Sequence, residues 1–469
     1  MSPDVVLASD RGPIAFSSRA GQLVPERRRG GLVSTLECAA SGVDGTVAWV
    51  ATTTAAWDGR AAADAYAGAF PGSRMALDCV RIEPDEYRAY YDGAGVRLLW
   101  YAHHDLWDEL GRPPAAHAGA MGAYERVNRR VAERVDGMCG ADSLVLLHDY
   151  QLAAAPAVLR ALAPRRPIAH VTYTPFGPPA AFAHLPGEVL RTVVEGMLGA
   201  DLAGFLHRPW ADCFLACCES LGFEADSERG LVHHAGRRTW VRTYPLGTDL
   251  EPVDGLPPAP RARVRSVMRA DRLDPAKNVI RGFQAFELLL ERRPDLRGGV
   301  VFASFPVPSR ERVPEYRSYQ LRLEAEVERI NARFPGAIEI HAGRSRQEAL
   351  AALRGYDVLL VNSLRDGMNL VAQEGPMVNT ADGCVVLSAA TGSAGLLGED
   401  AVLISDPRDV GHTADQLERA LDMPRPERRR RAARMRAAIQ AHRPERWLAG
   451  QIADLRAVCR GDQPVAGAW

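Results

Sequence analysis

The chain has 469 residues, 47% hydrophobic and 25% charged, enough for two or three domains that each bury a core. Its 57 basic and 58 acidic residues leave a net charge of −1, which removes any bulk electrostatic attraction to nucleic acid or an anionic membrane. Apolar runs such as Leu144–Leu147 are far shorter than the roughly 20 residues a membrane span needs.

The N-terminus reaches Asp4 at once and then the strand-like Val5–Ala8, so no signal peptide is expected. Further strands are predicted at Thr46–Ala51, Val96–Tyr101, Ser143–Leu147, Ile168–Tyr173, Leu202–Leu206 and Trp240–Tyr244. Helical patterns fall between them, as at Met121–Val135 and Glu188–Leu198. Tyr90-Tyr91 and Trp100 flank an Asp92-Gly93 step that reads as a hairpin turn. The stretch Val253–Pro260 holds three prolines and a glycine and reads as a linker. Beyond it the alternation resumes: Val267–Ala270, Gly299–Ser304, Ala337–Ile340, Val358–Asn362, Cys384–Leu387 and Val402–Ile404, with a helix over Gln320–Asn331.

This pattern predicts an α/β protein with two facing Rossmann-like domains, 1–250 and 251–445, and a C-terminal helix and tail, 446–469, packing back on the first. The arginines Arg428–Arg431 read as a solvated helix face. Eight scattered cysteines, three of them (Cys213, Cys217 and Cys218) on one helical stretch, make neither a disulfide framework nor a zinc site. They fit a reducing cytoplasm.

Of the 57 basic residues only Lys277 is a lysine. Where arginine has replaced lysine everywhere else, the survivor marks a place suited to a compact ammonium. It lies in Arg269–Asn278, at the end of a predicted strand, with Arg272 five residues before it across a proline turn. The two cations can converge on one diphosphate without a metal. The string Arg365–Glu374 follows the strand run Val358–Asn362 and is expected to open a helix. Asp366 then sits near the strand end, Gly367 lets the backbone turn, and the amides of Met368, Asn369 and Leu370 face an anion. Glu374 is placed to accept from ribose hydroxyls. Asp10-Arg11-Gly12-Pro13 closes the first strand, Arg28–Leu32 precedes a helix, and His148-Asp149-Tyr150 ends another strand. Asp149 can grip sugar hydroxyls or cap the next helix. No serine-nucleophile elbow, zinc motif or Walker loop is present.

Taken together these strings resemble the trehalose-6-phosphate synthases, glycosyltransferase family 20, over nearly the whole chain. The matching pieces are DRGP at 10–13, RRGGL at 28–32, YYDG to LLW at 90–100, LLHDYQL at 146–152, TPFG at 174–177, RLDPAKN at 272–278, PSRE at 308–311 and RDGMNLVAQE at 365–374. DPAKN and EGPMVN are closer to an actinobacterial branch that also includes pseudo-glycosyltransferases coupling cyclitols. The resemblance implies a GT-B enzyme that transfers a hexosyl group with retention from a nucleotide diphosphate sugar (uridine- or guanosine-linked) to a sugar 6-phosphate, with no metal and no cofactor.

By position, Arg272, Lys277, Asp366 and Glu374 would hold the donor, Gly367, Met368, Asn369 and Leu370 would cradle it through their backbone, and Gly31 would approach it. Arg11, Tyr91 and Arg310 would bind the acceptor's phosphate, with Trp100 and Asp149 on its ring. Arg272, Lys277, Asp149 and Tyr173 would carry the chemistry. Tyr173 stands where the family has a histidine that hydrogen-bonds the donor sugar. His170, three residues earlier on the same strand, should point to the opposite face. The substitution leaves two alternatives: a pocket reshaped for a modified sugar or pseudosugar, or a catalytically impaired sugar-phosphate-binding protein. A phosphorylase-like reading needs a lysine-bound pyridoxal group, and nothing marks Lys277 for that role. Homo-oligomerisation is left open.

Overall fold

The computed structural model describes residues 2–19, 22–27, 31–54, 59–69, 75–111, 118–248, 250, 264–343 and 345–466. The linker-like Val253–Pro260 and the Arg28–Gly30 part of the glycine-rich turn lie outside the described residues. The chain divides into two compact units. One comprises Met1–Trp107, Gly111–Leu246 and Pro444–Trp469, the other Asp108–Leu110 and Gly247–Arg443.

The first unit carries strands β1 (Val5–Ser9), β2 (Ile14–Arg19), β3 (Gln22–Arg27), β4 (Val47–Thr53), β5 (Met75–Arg81), β6 (Leu144–His148), β7 (Ile168–Thr172), β8 (Leu202–Phe205), β9 (Glu224–Asp226), β10 (Leu231–His234) and β11 (Arg237–Thr243). β2 and β3 form a ribbon of their own; the rest make one sheet in the order β5-β4-β1-β6-β7-β8-β11-β10-β9. It is parallel except at β9–β10 and β10–β11. Every residue of β1, β6 and β7 is buried, which is why these strands read as unbroken apolar runs. The C-terminal helix Pro444–Cys459 belongs to this unit. It is tied there by Tyr244, whose hydroxyl donates to Asp454 at 2.8 Å, and by the Trp447 indole donating to the Tyr244 carbonyl at 3.0 Å.

The second unit holds β12 (Arg265–Arg272), β13 (Val300–Val307), β14 (Ile338–Ile340), β15 (Val358–Val361), β16 (Cys384–Ser388) and β17 (Val402–Ile404). They form one parallel sheet in the order β14-β13-β12-β15-β16-β17. Each sheet thus contains the 3-2-1-4-5-6 order of a Rossmann fold, and the order reverses at β1/β6 and at β12/β15. Loops after these strands border the crevice where such sheets bind ligands.

One expected element is overturned. Val96–Tyr101 is not a strand and Asp92-Gly93 is not a hairpin turn: Pro84–His104 is helical throughout, with a wide π-type stretch over Ala89–Trp100. A short apolar run does not distinguish a buried strand from a buried helix. Here Tyr90, Val96, Leu98, Leu99 and Trp100 are all buried on helical backbone. Gly93 serves close packing: a Cβ there would lie 3.0 Å from the Ala120 methyl of the Ala118–Met138 helix. The arginine-rich segment lies on the helix Arg425–Ala441, where Arg428 pairs with Asp357, Arg430 and Arg431 with Glu427, and Arg434 with Asp400. Among the described residues no disulfide forms, and no helix is long and apolar enough to cross a membrane.

Candidate active site

At the switch point of the second unit, β12 ends at Arg272 and a single turn, Pro275–Lys277, follows. The turn is capped from within. Asp274 accepts from the Ala276 amide at 3.0 Å, and the Lys277 amide donates to the Asp274 carbonyl at 2.8 Å. Arg269, almost wholly buried, holds the far side. Its Nη2 donates to the Lys277 carbonyl at 2.8 Å, its Nη1 to the Asn362 side chain at 3.1 Å, and its guanidinium pairs with Asp271. The Lys277 ammonium reaches across to Asp366, on the loop after β15, and donates to its Oδ2. Asn369 Nδ2 at 3.0 Å and Ser363 Oγ at 3.2 Å share that oxygen. The structure therefore joins Lys277 and Asp366, 89 residues apart, at the place a doubly wound sheet offers a ligand. Arg272, the last residue of β12, is exposed.

The loop Asp366–Leu370 precedes the helix Val371–Val378, so the helix opens five residues later than Asp366. Asn369 sits in the left-handed region, φ 61°. The amides of Met368, Asn369 and Leu370 donate to no protein acceptor among the described residues. Unsatisfied amides before a helix favour an anion. A second loop braces this one. The Gly392 amide donates to the Asp366 carbonyl at 3.1 Å, and Ser393 Oγ to the Met368 carbonyl at 2.5 Å. A Cβ on Gly392 would meet the Gly367 carbonyl at 1.9 Å, so the approach requires glycine. Glu374 lies in the first turn of the helix and pairs through Oε1 with Arg346.

In the first unit Asp10 and Arg11 follow β1. Asp10 is buried, accepts from Thr52 Oγ1 at 2.9 Å and from the Tyr87 hydroxyl at 3.1 Å, and burial pushes its carboxyl up. Arg11, 52% exposed, donates to the Tyr91 hydroxyl at 2.9 Å with its guanidinium 5.0 Å from that ring's centre. Tyr91 stacks on Tyr87 at 5.6 Å and 6°. This stack presents one half-exposed cation. Trp100 is buried and stacks on His104 at 3.7 Å. Gly31 begins the helix Gly31–Ser41.

Across the switch point, Asp149 follows β6 with φ 70° and ψ 166°, a conformation essentially confined to glycine. Its Oδ1 accepts from the amides of Tyr173 at 3.1 Å and Thr174 at 3.2 Å and from the Thr174 hydroxyl at 3.2 Å. The Tyr150 amide also donates to this carboxylate. Burial raises the Asp149 carboxyl, opposed by the backbone amides of Tyr150, Tyr173 and Thr174. Strain of about 1–3 kcal/mol, held by surrounding hydrogen bonds, is the kind of cost tolerated at functional positions.

Tyr173 turns toward the C-terminal helix: its hydroxyl meets His148 Nδ1 at 3.2 Å and its ring lies 5.4 Å from Trp447. His170 is fully buried, with Nε2 3.1 Å from the Asp149 carbonyl. Burial pushes His148 down to about 3 and His170 down to about 4, so both are neutral at pH 7. Arg310 lies in the second unit, with Nη1 on Asp274 at 2.6 Å and on the Tyr316 hydroxyl at 2.7 Å. Arg11 and Tyr91 are thus together, and Arg310 is grouped with the Lys277 turn. Sequence reasoning passed over Arg269, Asn362, Arg346, Gly392 and Trp447. Of these Arg269 lay in a string already singled out, and Asn362 closed a predicted strand.

The model of glycosyltransferase family 20 matches residues 4–457. A trehalose-6-phosphate synthase of Mycolicibacterium smegmatis is 31% identical over 99% of this chain and 95% of its own length. An E. coli chain solved with UDP-2-fluoro glucose superposes with a TM-score of 0.81 at 25% identity, covering 96% of this chain and 98% of that one. An α,α-trehalose-phosphate synthase (UDP-forming) from Burkholderia xenovorans, in complex with glucose-6-phosphate, superposes at 0.79 with 25% identity over 96% and 99%.

Proposed function

The chain belongs to glycosyltransferase family 20, and from that premise we propose that it moves a glucosyl group from a nucleotide diphosphate sugar to a sugar 6-phosphate, forming an α,α-1,1 bond with retention and without a metal. The observation that carries this reading is the Lys277–Asp366 pair at the second switch point, bordered by the open amides of Met368–Leu370. An ammonium, a strand-end guanidinium at Arg272 and three amides supply the fixed positive field that a departing diphosphate requires. Glu374 accepts from the ribose hydroxyls.

The E. coli chain's UDP-2-fluoro glucose and the Burkholderia enzyme's glucose-6-phosphate support the two substrate classes. In the first unit the acceptor's phosphate is taken by Arg11 and the Tyr91 hydroxyl, and its ring by Trp100 and the Asp149 carboxylate. The acceptor hydroxyl attacks the face from which the diphosphate leaves, and the leaving phosphate oxygen takes the proton. Asp149 and the Lys277 loop position the reactants, and no side chain forms a covalent intermediate.

The test is acceptor discrimination. Glucose 6-phosphate is expected to turn over with UDP-glucose far better than glucose does. Arg11→Gln is expected to raise the KM for glucose 6-phosphate about tenfold or more, the worth of one charge-assisted hydrogen bond, while the KM for the donor stays within about twofold. Equal turnover of glucose and its 6-phosphate would refute the phosphate-binding role.

A further inference from the structure

The surroundings of Arg310 point to a role besides the acceptor-phosphate contact that the resemblance implies for it. Its side chain is 6% exposed and that of Asp274 is fully buried. Nη1 of Arg310 donates to Asp274 Oδ2 at 2.6 Å and to the Tyr316 hydroxyl at 2.7 Å, and that hydroxyl itself donates to Asp274 Oδ2 at 3.2 Å. The guanidinium carbon lies 5.4 Å from the Tyr316 ring centre, and the Arg310 backbone is in the left-handed region at φ 51°. The other oxygen of the same carboxylate, Oδ1, caps the Ala276 amide at 3.0 Å, and the Asp274 carbonyl receives the Lys277 amide at 2.8 Å. One buried carboxylate thus has Arg310 on one side and the turn that displays the chain's single lysine on the other.

We propose that Arg310 is a positioning residue for the donor diphosphate: by fixing Asp274 it fixes the Pro275–Lys277 turn and so the ammonium. This rests on the reading that Lys277 meets the donor's diphosphate, and it goes beyond that reading because it gives Arg310 an effect that exists with no acceptor present. A buried carboxylate that loses its cation must find another partner or take up a proton. Either response frees Oδ1 from its geometry at the Ala276 amide and loosens the turn. Binding energy for the diphosphate then pays for ordering the turn, and affinity falls.

The measurement is the affinity for UDP, by calorimetry, without acceptor. The wild-type enzyme is compared with Arg310→Gln, Arg310→Lys, Tyr316→Phe and Lys277→Gln, each checked for its unfolding transition. Arg310→Gln is expected to weaken UDP binding at least about fivefold, Arg310→Lys to recover most of that loss, and Tyr316→Phe to cost about twofold. If Arg310→Gln does not fold, Tyr316→Phe decides, and wild-type affinity in that variant overturns the proposal. A folded Arg310→Gln that binds UDP like the wild type, and shows only a raised acceptor KM, also overturns it. Failure of the underlying reading looks different: wild-type protein that does not bind UDP, or Lys277→Gln that binds it unchanged.

Discussion

Lys277→Arg keeps the charge and changes only its shape. In the structure the Lys277 side chain is 12% exposed and Asp366 14%, and the ammonium shares Asp366 Oδ2 with Asn369 at 3.0 Å and Ser363 at 3.2 Å. A point-like ammonium fits beside two other donors; a planar guanidinium on a longer arm displaces one of them or is pushed out of the site. A hydrogen bond to a charged group is worth about 1.5–3 kcal/mol. Losing one at the diphosphate therefore costs about 10- to 150-fold in kcat/KM, at roughly 1.4 kcal/mol per factor of ten. Release of nucleotide diphosphate from UDP-glucose plus glucose 6-phosphate is the assay, with the unfolding midpoint as a control on folding. A Lys277→Arg enzyme within about twofold of wild type refutes the reasoning and leaves the lone lysine without a chemical explanation.

Two further outcomes follow from the first unit. The Tyr173 hydroxyl is engaged with His148 at 3.2 Å, so Tyr173→Phe is expected to change kcat less than about threefold. A loss of about 100-fold, the scale of a hydrogen bond specific to the transition state, would show the hydroxyl acting on the substrate instead. His148 and His170, held near 3 and 4 by burial, lie below the ordinary value of about 6.5. Their neutral forms contribute stability that is fully present above pH 6.5 and lost as pH falls toward the folded values, because the unfolded chain takes up protons first. Each costs about 1.4 kcal/mol per pH unit in that window. His148→Gln is expected to flatten the fall in unfolding midpoint between pH 6.5 and 5, and an unchanged slope would contradict the neutral buried assignment.

Much of the fold was legible because the sheets are parallel. Strands buried on both faces, such as Val5–Ser9 and Leu144–His148, appear as short apolar runs separated by helical periodicity. Val96–Trp100 produced the same signal from a different cause, a helix so enclosed that its period-3.6 pattern is lost. The glycine beside it, Gly93, looked like a turn because sequence does not show the Ala120 methyl it packs against. In the site, residue types and their place at strand ends carried Lys277, Asp366 and Asp149. What sequence left unread is pairing at a distance: Arg346 with Glu374 across 28 positions, Arg310 with Asp274 across 36, and Tyr173 with His148 across 25. These pairings depend on how loops fold back over the sheet, which no local spacing encodes.

The most direct measurement mixes UDP-glucose with and without glucose 6-phosphate and follows free UDP and the phosphorylated disaccharide together. The account predicts UDP release that depends on the acceptor, one disaccharide phosphate per UDP, in the α,α configuration and in the presence of a chelator. UDP release at the same rate without acceptor, or none in the presence of both substrates, would contradict it.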